Sequence, residues 1–318
     1  MKYSVIIRTI GKAGEKYRKL LESIQKSTIQ PQEIIVVLPD GFEIPKEQIG
    51  YERFIFCKKG MVNQRVVGIN ACKTDYALIL DDDISYDTDF VEKVSAPVVS
   101  GAYGLSSGPL IEFFPKPGIQ AFVAWFFGSA CPTVFHKDRY NTLLKTTGYS
   151  YNRKLKYNTG KLYETQSAPW TCFFADIKKL RSIHFEDELW LDMHGYSSHD
   201  DTAMFYKAWL CGVKTVIVAD AHYQHLDAGT SRSGIKTKRY LSGGFNSYVL
   251  WKRLICYQAN PLREKLYYIP FRYHELVCKL YYRIKLGKEA SSAFQSGYTM
   301  ARDWVKSDEY LNLPPVKY

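Results

Sequence analysis

The chain has 318 residues, of which 46% are hydrophobic, so it can bury a sizeable core and is long for one simple domain. Its formal net charge is +11. The seven cysteines are scattered and never spaced as C-x-x-C, which argues against a disulfide scaffold or a structural zinc site and fits a reducing compartment. The opening residues, MKYSVIIRT, lack the longer apolar stretch and cleavage site of a signal peptide.

Secondary-structure signals alternate along the first part of the chain. Strands are predicted at 2–9, 33–38, 53–57 and 76–80, and helices at 13–27 and 62–72. This β-α-β-β-α-β order predicts an α/β fold with a mostly parallel sheet flanked by helices. Long loops and short strands are expected over 95–170, followed by a helix at 200–211 with Gly212 as its C-cap, and a strand at 214–220.

The last quarter of the chain is basic, rich in aromatic residues and predicted to be helical over 244–305. Residues 236–318 hold 15 Lys and Arg but only 6 Asp and Glu, and glycines cluster over 229–243. We therefore predict a catalytic domain at 1–235 and a helical region at 236–318. Segments 244–257 and 273–288 combine apolar faces with basic residues, which suits an anionic membrane surface; packing against the catalytic domain is the alternative.

Two uncharged stretches, 94–111 and 118–135, are each 18 residues long. Both are interrupted by Gly, Pro, Ser or Gln, so they are predicted to be buried or pocket-lining loops rather than membrane spans.

The predicted strand YALIL, residues 76–80, ends in three consecutive carboxylates, Asp81, Asp82 and Asp83. In sheets of this kind, ligands bind beyond the carboxyl ends of the strands. Asp81 and Asp83 would share one face of an extended chain, and Mg²⁺ and Mn²⁺ prefer carboxylate and phosphate oxygens. The cluster therefore predicts a metal site or hydrogen bonds to sugar hydroxyls, with a solvated turn or a helix N-cap as the alternative.

Two later segments carry further candidates. Asp200 and Asp201 open a predicted helix, where a carboxylate can act as a general base. His222 and His225 follow a predicted strand, and either can complete a metal shell. The alternatives are simple N-capping for the carboxylates and packed or surface positions for the histidines.

These segments together resemble the inverting family 2 glycosyltransferases, which have the GT-A (Rossmann-like) fold, over roughly residues 2–231. SVIIRT (4–9) matches the family's opening strand, and residues 60–84 are similar to the stretch that ends in its D-x-D motif. FEDE (185–188) resembles its F-D-E, and residues 200–201 stand at its E-D position.

The resemblance implies a role for each matched residue. Asp201, with Asp200 beside it, would be the catalytic base, and Asp83 and His225 would hold Mn²⁺ or Mg²⁺. Binding of the nucleotide sugar would fall to Arg8, Thr9, Asp40, Arg65, Asp81 and Asp82. Trp170 is a further candidate, either stacking on an acceptor sugar or packing in the core.

The sequence also departs from the family pattern. Its second strand ends Leu-Pro-Asp-Gly at 38–41 instead of in several acidic residues, so only Asp40 remains to meet the nucleotide base. The acidic pair is Asp-Asp, which keeps the charge on a shorter side chain. The Q-x-x-R-W motif of processive synthases is absent, which indicates the addition of one sugar at a time.

These observations predict a metal-dependent glycosyltransferase of hexosyltransferase type. It would move a sugar from a nucleotide-diphosphate sugar, foremost a UDP-sugar, to a glycan or lipid-linked acceptor with inversion, in bacterial surface polysaccharide synthesis and without a nucleic-acid partner. The predicted location is the cytoplasm, peripherally at the inner face of the plasma membrane. Two alternatives are a metal-dependent phosphatase or phosphotransferase with Asp81 as nucleophile, which Ile84 and Ser85 fit poorly, and a non-enzymatic basic membrane-surface module.

Overall fold

The computed structural model describes residues 1–133, 138–157, 159–227, 236–257 and 259–316. The strands in these ranges are β1 (Tyr3–Arg8), β2 (Glu33–Pro39), β3 (Glu52–Cys57), β4 (Tyr76–Asp81), β5 (Ile84–Tyr86), β6 (Leu105–Ser107), β7 (Ala130–Pro132), β8 (Arg139–Leu143), β9 (Tyr149–Tyr151), β10 (Leu162–Thr165), β11 (Cys172–Asp176), β12 (Thr215–Val218) and β13 (Tyr223–His225).

The α-helices in the same ranges are α1 (Glu15–Lys26), α2 (Met61–Ala71), α3 (Phe90–Val99), α4 (Ile119–Phe126), α5 (Ile177–Ser182), α6 (Asp200–Leu210), α7 (Lys236–Leu250), α8 (Pro261–Lys285), α9 (Lys288–Trp304) and α10 (Asp308–Leu311). Short 3₁₀ helices span Ile111–Phe113 and Phe185–Asp192, and a π-helical turn, Trp251–Ile255, follows α7.

One large sheet organises the molecule, with the strand order β3-β2-β1-β4-β11-β6-β12-β10-β8-β9-β7. The four strands β3, β2, β1 and β4 are all parallel, and six of the ten pairings in the sheet are parallel. The predicted α/β fold, with a mostly parallel sheet, flanking helices and a helical C-terminal region, is therefore confirmed. Gly212 takes the predicted place after α6, with a φ of 74° that favours glycine.

The central strands are apolar on both sides because each face of the sheet is covered. Ile6, Val37 and Ile79 join a core that also includes residues of α2 and α6, whereas Val5 and Leu78 join a core with α1 and α3. Their near-continuous apolar character, which the sequence pattern detected, is typical of strands buried on both faces.

A second, two-stranded sheet pairs β5 with β13 in antiparallel fashion, so that Ile84 lies opposite His225. The backbone N–H of Leu226 also donates a hydrogen bond to the carbonyl of Asp83 at 2.8 Å. This pairing brings together two segments that are about 140 residues apart in the chain.

The C-terminal helices pack firmly against the sheet domain. Phe245, Val249, Leu250 and Leu254 belong to the same core as α2 and α6. Segment 244–257 is therefore not a free membrane-binding face, and here the packing alternative is the correct one. The predicted boundary at 235/236 adjoins residues outside the described ranges, as do two glycines of the predicted join, Gly229 and Gly234, so the division into domains stays a prediction.

Within the described residues, we find no helix with the combination of length and apolar character that crossing a membrane requires.

Candidate active site

A cavity of about 790 Å³ opens where β1 and β4 end and α6 begins. This volume is in the range of small-molecule sites in proteins. Its walls include ten of the eleven predicted site residues, namely Arg8, Thr9, Arg65, Asp81, Asp82, Asp83, Trp170, Asp200, Asp201 and His225. The eleventh, Asp40, is exposed and is not part of the wall, although Phe42, two residues further along the chain, is.

Two arginines hold the first carboxylate of the strand-end cluster. Arg8 Nε and Arg65 Nη2 both donate to Asp81 Oδ1, at 3.1 and 2.8 Å. Arg65 Nη1 also donates to Asp200 Oδ2 at 2.5 Å, so this buried guanidinium links the end of β4 to the start of α6. The charge of Asp81 is neutralised within the protein, and its carboxylate is oriented by two donors on a single oxygen.

The middle carboxylate, Asp82, is tied to the end of β1. Thr9 Oγ1 donates to Asp82 Oδ2 at 2.6 Å, and burial raises the pKa of Asp82 to about 6. Gln64 Nε2 in turn donates to the carbonyls of Thr9 and Val37, each at 2.9 Å. These bonds anchor the backbone that carries the cluster.

The third carboxylate, Asp83, lies next to His225, with 3.3 Å between Asp83 Oδ1 and His225 Nε2. This contact, which the pairing of β5 with β13 produces, is the main reason that the pKa of His225 is raised. In the part of the chain that the structure describes, no group of three or more His, Cys, Asp or Glu side chains is arranged to hold a metal. One carboxylate and one imidazole nevertheless fit a Mg²⁺ or Mn²⁺ ion that takes its other ligands from phosphate oxygens and water.

The acidic pair opens α6. His199, just before it, has a φ of 67°, a left-handed conformation that is uncommon for a residue with a side chain and that sets the entry of the helix. Asp201 Oδ1 accepts a hydrogen bond from the N–H of Thr202 at 2.6 Å, and no other described residue apart from Thr202 donates to its carboxylate. Asp200, by contrast, is ion-paired with Arg65.

Burial, together with the neighbouring charge of Asp200, raises the pKa of Asp201 to about 6. A carboxylate with this pKa is ionised at neutral pH and yet is more basic than an ordinary aspartate. That combination is the one a general base requires. The structure thus separates the two aspartates into an ion-paired one and one that remains available to a substrate.

Trp170 borders the cavity but is a core residue. Its side chain is only 2% exposed, and the guanidinium of Arg65 lies over its ring at 4.5 Å. Phe185 covers it further, with ring centroids 5.0 Å apart. The ring therefore helps to hold Arg65, and it presents little surface on which a sugar could stack.

His222, which precedes His225 by three residues, is not part of the cavity wall.

The structure adds cationic and aromatic wall residues that the sequence reasoning missed. The ammonium groups of Lys12 and Lys59 both lie over the ring of Phe42, 5.7 and 5.1 Å from its centroid. All three border the cavity, as does Lys238 at the start of α7. Phe42 directly follows the Pro-Asp-Gly turn after β2. Its position just beyond the end of a strand is the sequence signal that could have identified it as a cavity residue.

Asp192 is another missed residue. Its two carboxylate oxygens accept hydrogen bonds from the N–H groups of Val62 and Asn63, at 3.2 and 2.9 Å, and so cap the start of α2. A side chain at Gly60 would place its Cβ 2.3 Å from Asp192, which explains the glycine that precedes this helix. The helix that carries Arg65 is thereby fixed relative to the cavity.

Comparisons with known proteins find one relative in Bacillus subtilis (strain 168), named "Uncharacterized glycosyltransferase YwdF". It is 26% identical over 255 residues, which cover 76% of this chain and 82% of the relative. No family model matches the chain.

The solved structures that resemble the chain include the following two. GalNAc-T7 with UDP, GalNAc and Mn²⁺ matches with a TM-score of 0.47 and 12% identity over 70% of this chain, which spans only 43% of that protein. TarS residues 1–349 from S. aureus match with a TM-score of 0.41 and 13% identity, over 96% of this chain and 92% of the other. The sequence relationship to YwdF confirms the predicted resemblance to glycosyltransferases, whereas membership of family 2 stays a prediction.

Proposed function

We propose that this protein is a glycosyltransferase that transfers a hexose from a nucleotide-diphosphate sugar to an acceptor hydroxyl in one displacement, with inversion. One observation carries the proposal. A single cavity contains an ionised carboxylate of raised pKa, Asp201, together with the Asp83–His225 pair and a set of buried arginines. These are the groups needed to remove a proton at one end of a reacting bond and to stabilise negative charge at the other.

The donor binds, in this proposal, along the carboxyl ends of β1 and β4. Arg8, Lys12 and Lys59 contribute positive charges to this part of the wall, and these charges suit a diphosphate. Phe42 places an aromatic ring beside the two lysines, and a uracil ring is the base that we expect next to it, which makes a UDP-sugar the preferred donor.

Asp83 and His225 would hold Mg²⁺ or Mn²⁺ in the proposed enzyme. When bound, the ion supplies positive charge to the departing diphosphate. Asp81 orients Arg8 and Arg65, because both of these guanidinium groups donate to its Oδ1.

Asp201 takes the proton from the acceptor hydroxyl as that oxygen attacks the anomeric carbon. The bond from this carbon to the diphosphate breaks on the opposite side, and this geometry inverts the configuration. The acceptor is a glycan or a lipid-linked glycan, and bacterial surface polysaccharide synthesis is the process in which we expect the reaction.

The contacts of Asp81 argue against the phosphatase alternative. Two arginines pair with Asp81 Oδ1, and their positive charge makes this buried carboxylate a weaker nucleophile. A purely non-enzymatic surface module, in turn, leaves the raised pKa of Asp201 and the strand-end carboxylates without a role.

The test is to incubate the full chain with a panel of UDP-hexoses and Mn²⁺ and to measure the UDP released with and without candidate acceptors. We expect release from at least one donor, and its loss in Asp201→Asn. Asp138→Asn is the matched control, because its side chain is 88% exposed and it is not part of the cavity wall. Release of inorganic phosphate from sugar phosphates, lost in Asp81→Asn but kept in Asp201→Asn, would overturn the proposal in favour of a phosphatase.

A further inference from the structure

Large apolar side chains are exposed in two segments of the described chain. Seven of them lie within residues 111–126 and nine within residues 262–286. Single exposed apolar residues are common on protein surfaces, but a concentration of this kind marks an interaction site.

Helix α8 carries the longer part of this surface. Its 25 residues form a rod of roughly 37 Å, at 1.5 Å per residue. Successive members of its apolar row are three or four residues apart, so they form one straight stripe, and all are exposed: Leu262, Leu266, Ile269, Tyr273, Leu276, Leu280 and Ile284. The opposite side of the helix is buried in the protein through Phe271, His274 and Glu275. The stripe therefore faces away from the protein's own core.

Basic residues flank the stripe. Lys265, Arg272 and Lys279 recur every seven residues and so form a row along one side of it, continued by Arg283. Both acidic residues of α8 are neutralised within the protein, since Glu264 pairs with Lys252, and Glu275 pairs with Arg272 and Arg302. Because Glu275 engages Arg272, the positive charge beside the stripe comes from Lys265, Lys279 and Arg283.

Helix α4 extends the same surface. Its outward side chains include Ile119, 84% exposed, and Phe122 and Trp125. The end of α4 rests on α8, because Tyr273 Oη donates to the carbonyl of Phe126 at 2.8 Å and the two rings meet edge to face. We call the outward residues of α4 and the α8 stripe together the apolar platform.

We propose that the apolar platform docks on an anionic lipid bilayer, lying in the interface and not crossing it. The observations match an interfacial amphipathic surface: an aliphatic stripe, aromatic residues at its edge and a flanking row of Lys and Arg that complements acidic headgroups.

A second copy of the chain is the competing occupant of an exposed stripe. Self-association through α8 would place Lys265 and Lys279 of one copy near the same lysines of the other copy, unless acidic residues lay opposite them. Both acids of α8 are already paired within one chain, so charge complementarity favours an anionic partner.

The platform also adjoins the cavity. Phe113, in the 3₁₀ turn before α4, is 51% exposed and is part of the cavity wall. Docking would thus bring the cavity close to the membrane. If the proposed glycosyltransferase activity holds, this placement favours a lipid-linked acceptor; the docking itself does not depend on that activity.

The proposal is tested by floating the full chain with phosphatidylcholine vesicles that contain or lack phosphatidylglycerol. We expect binding to the anionic vesicles at ~50 mM salt and release at ~500 mM, because salt screens the basic row. Leu266→Glu and Ile269→Glu should each lower the partition coefficient about tenfold or more, since each removes an apolar anchor and adds a repelled charge.

Leu311→Glu is the matched control. Its side chain is 65% exposed, close to the 67% of Ile269, but it lies outside the platform, so this variant should bind vesicles like the wild type. Ile119→Glu tests α4 separately and should also weaken binding.

Two results would overturn the proposal. One is failure of the full chain to float with anionic vesicles at low salt. The other is a wild-type dimer in analytical ultracentrifugation that Leu266→Glu converts to a monomer, with equal vesicle binding by both; the platform would then join two copies. Neither measurement uses sugar transfer. A protein that binds vesicles but transfers no sugar would therefore contradict the proposed function and leave the docking proposal intact.

Discussion

Two clusters of buried charges in this protein contain similar side chains and serve different purposes. At the cavity, five aspartates lie at the end of β4, just after it, and at the start of α6, and two of them, Asp81 and Asp200, pair with arginines. The pKa values of Asp82, Asp200 and Asp201 are raised, in each case chiefly by burial. In the second cluster, the single carboxylate of Glu188 meets both Arg253 and Lys207.

The carboxylate of the second cluster has all of its partners within the protein. Glu188 is fully buried, and it accepts hydrogen bonds from Arg253 Nε, Arg253 Nη2 and Trp190 Nε1 at 2.6 to 2.9 Å. Burial alone would raise the pKa of Glu188, but the bonds from Arg253 and the charge of Lys207 lower it. An excess of carboxylates beside a cavity is therefore typical of a catalytic site. A carboxylate whose oxygens are all paired in the interior, such as that of Glu188, instead attaches the C-terminal helices.

The largest expected effect is that of Asp201→Asn on catalysis. The amide keeps the size of the side chain but cannot accept the acceptor proton, so transfer should fall by roughly 10²-fold or more. The melting temperature should not fall, because the change removes a buried charge next to Asp200. Steady-state kinetics and calorimetry check both. A larger loss of transfer in Asp200→Asn would exchange the roles of the two aspartates.

Substitutions in the second cluster, around Glu188, should lower the stability of the protein instead of its activity. Arg253→Ala leaves Glu188 with fewer donors in a buried position, and the free energy of unfolding should fall by about 3 kcal/mol. Urea denaturation measures the loss, and thermal shift with UDP reports donor binding, which we expect to persist. The double variant Glu188→Gln with Arg253→Met should recover part of the stability. An unchanged urea midpoint in Arg253→Ala would mean that this cluster does not attach the C-terminal helices.

Removal of the metal should affect only the cavity cluster. A chelator is expected to lower transfer more than tenfold, and Mn²⁺ should restore it. In Asp83→Asn, added Mn²⁺ should no longer stimulate transfer, while the melting temperature without metal stays near that of the wild type. If Mn²⁺ stimulated this variant as fully as the wild type, Asp83 would not be a ligand of the metal.

The smallest expected effect is that activity and stability respond to pH over different ranges. Because Asp201 must be ionised and its pKa is about 6, kcat/KM should decline about tenfold per unit as pH falls below 6. Glu188 has a lowered pKa, so its contribution to stability is present above the pKa of an unfolded glutamate and is lost only at still lower pH. At pH 5 the protein should therefore be folded but slow, as circular dichroism and initial rates can test. A flat rate profile between pH 5 and 7 would contradict the role of Asp201.

Much of the fold and of the site was predictable from local patterns. The apolar runs of β1, β2 and β4 specify buried parallel strands, because only strands covered on both faces are apolar throughout. The position of Asp81 to Asp83 at a strand end follows from the same pattern, and the cavity lies there. Asp200 and Asp201 were recognisable as the start of a helix, since the charges precede an apolar, periodic segment.

Other features depend on contacts between segments far apart in the chain. Asp40 was a candidate binding residue because it follows the second strand, where the resemblance implies a contact with the nucleotide base, but its side chain is exposed and lies outside the cavity wall. Segment 244–257 looked like a membrane face because it has basic residues, but Arg253 pairs with Glu188, 65 residues away, and its apolar neighbours join the core. A local pattern records which side chains are apolar or charged, and only tertiary packing decides which partner each one meets. For the same reason, the sequence indicated Asp83 and His225 separately, whereas the pairing of β5 with β13 brought them to 3.3 Å.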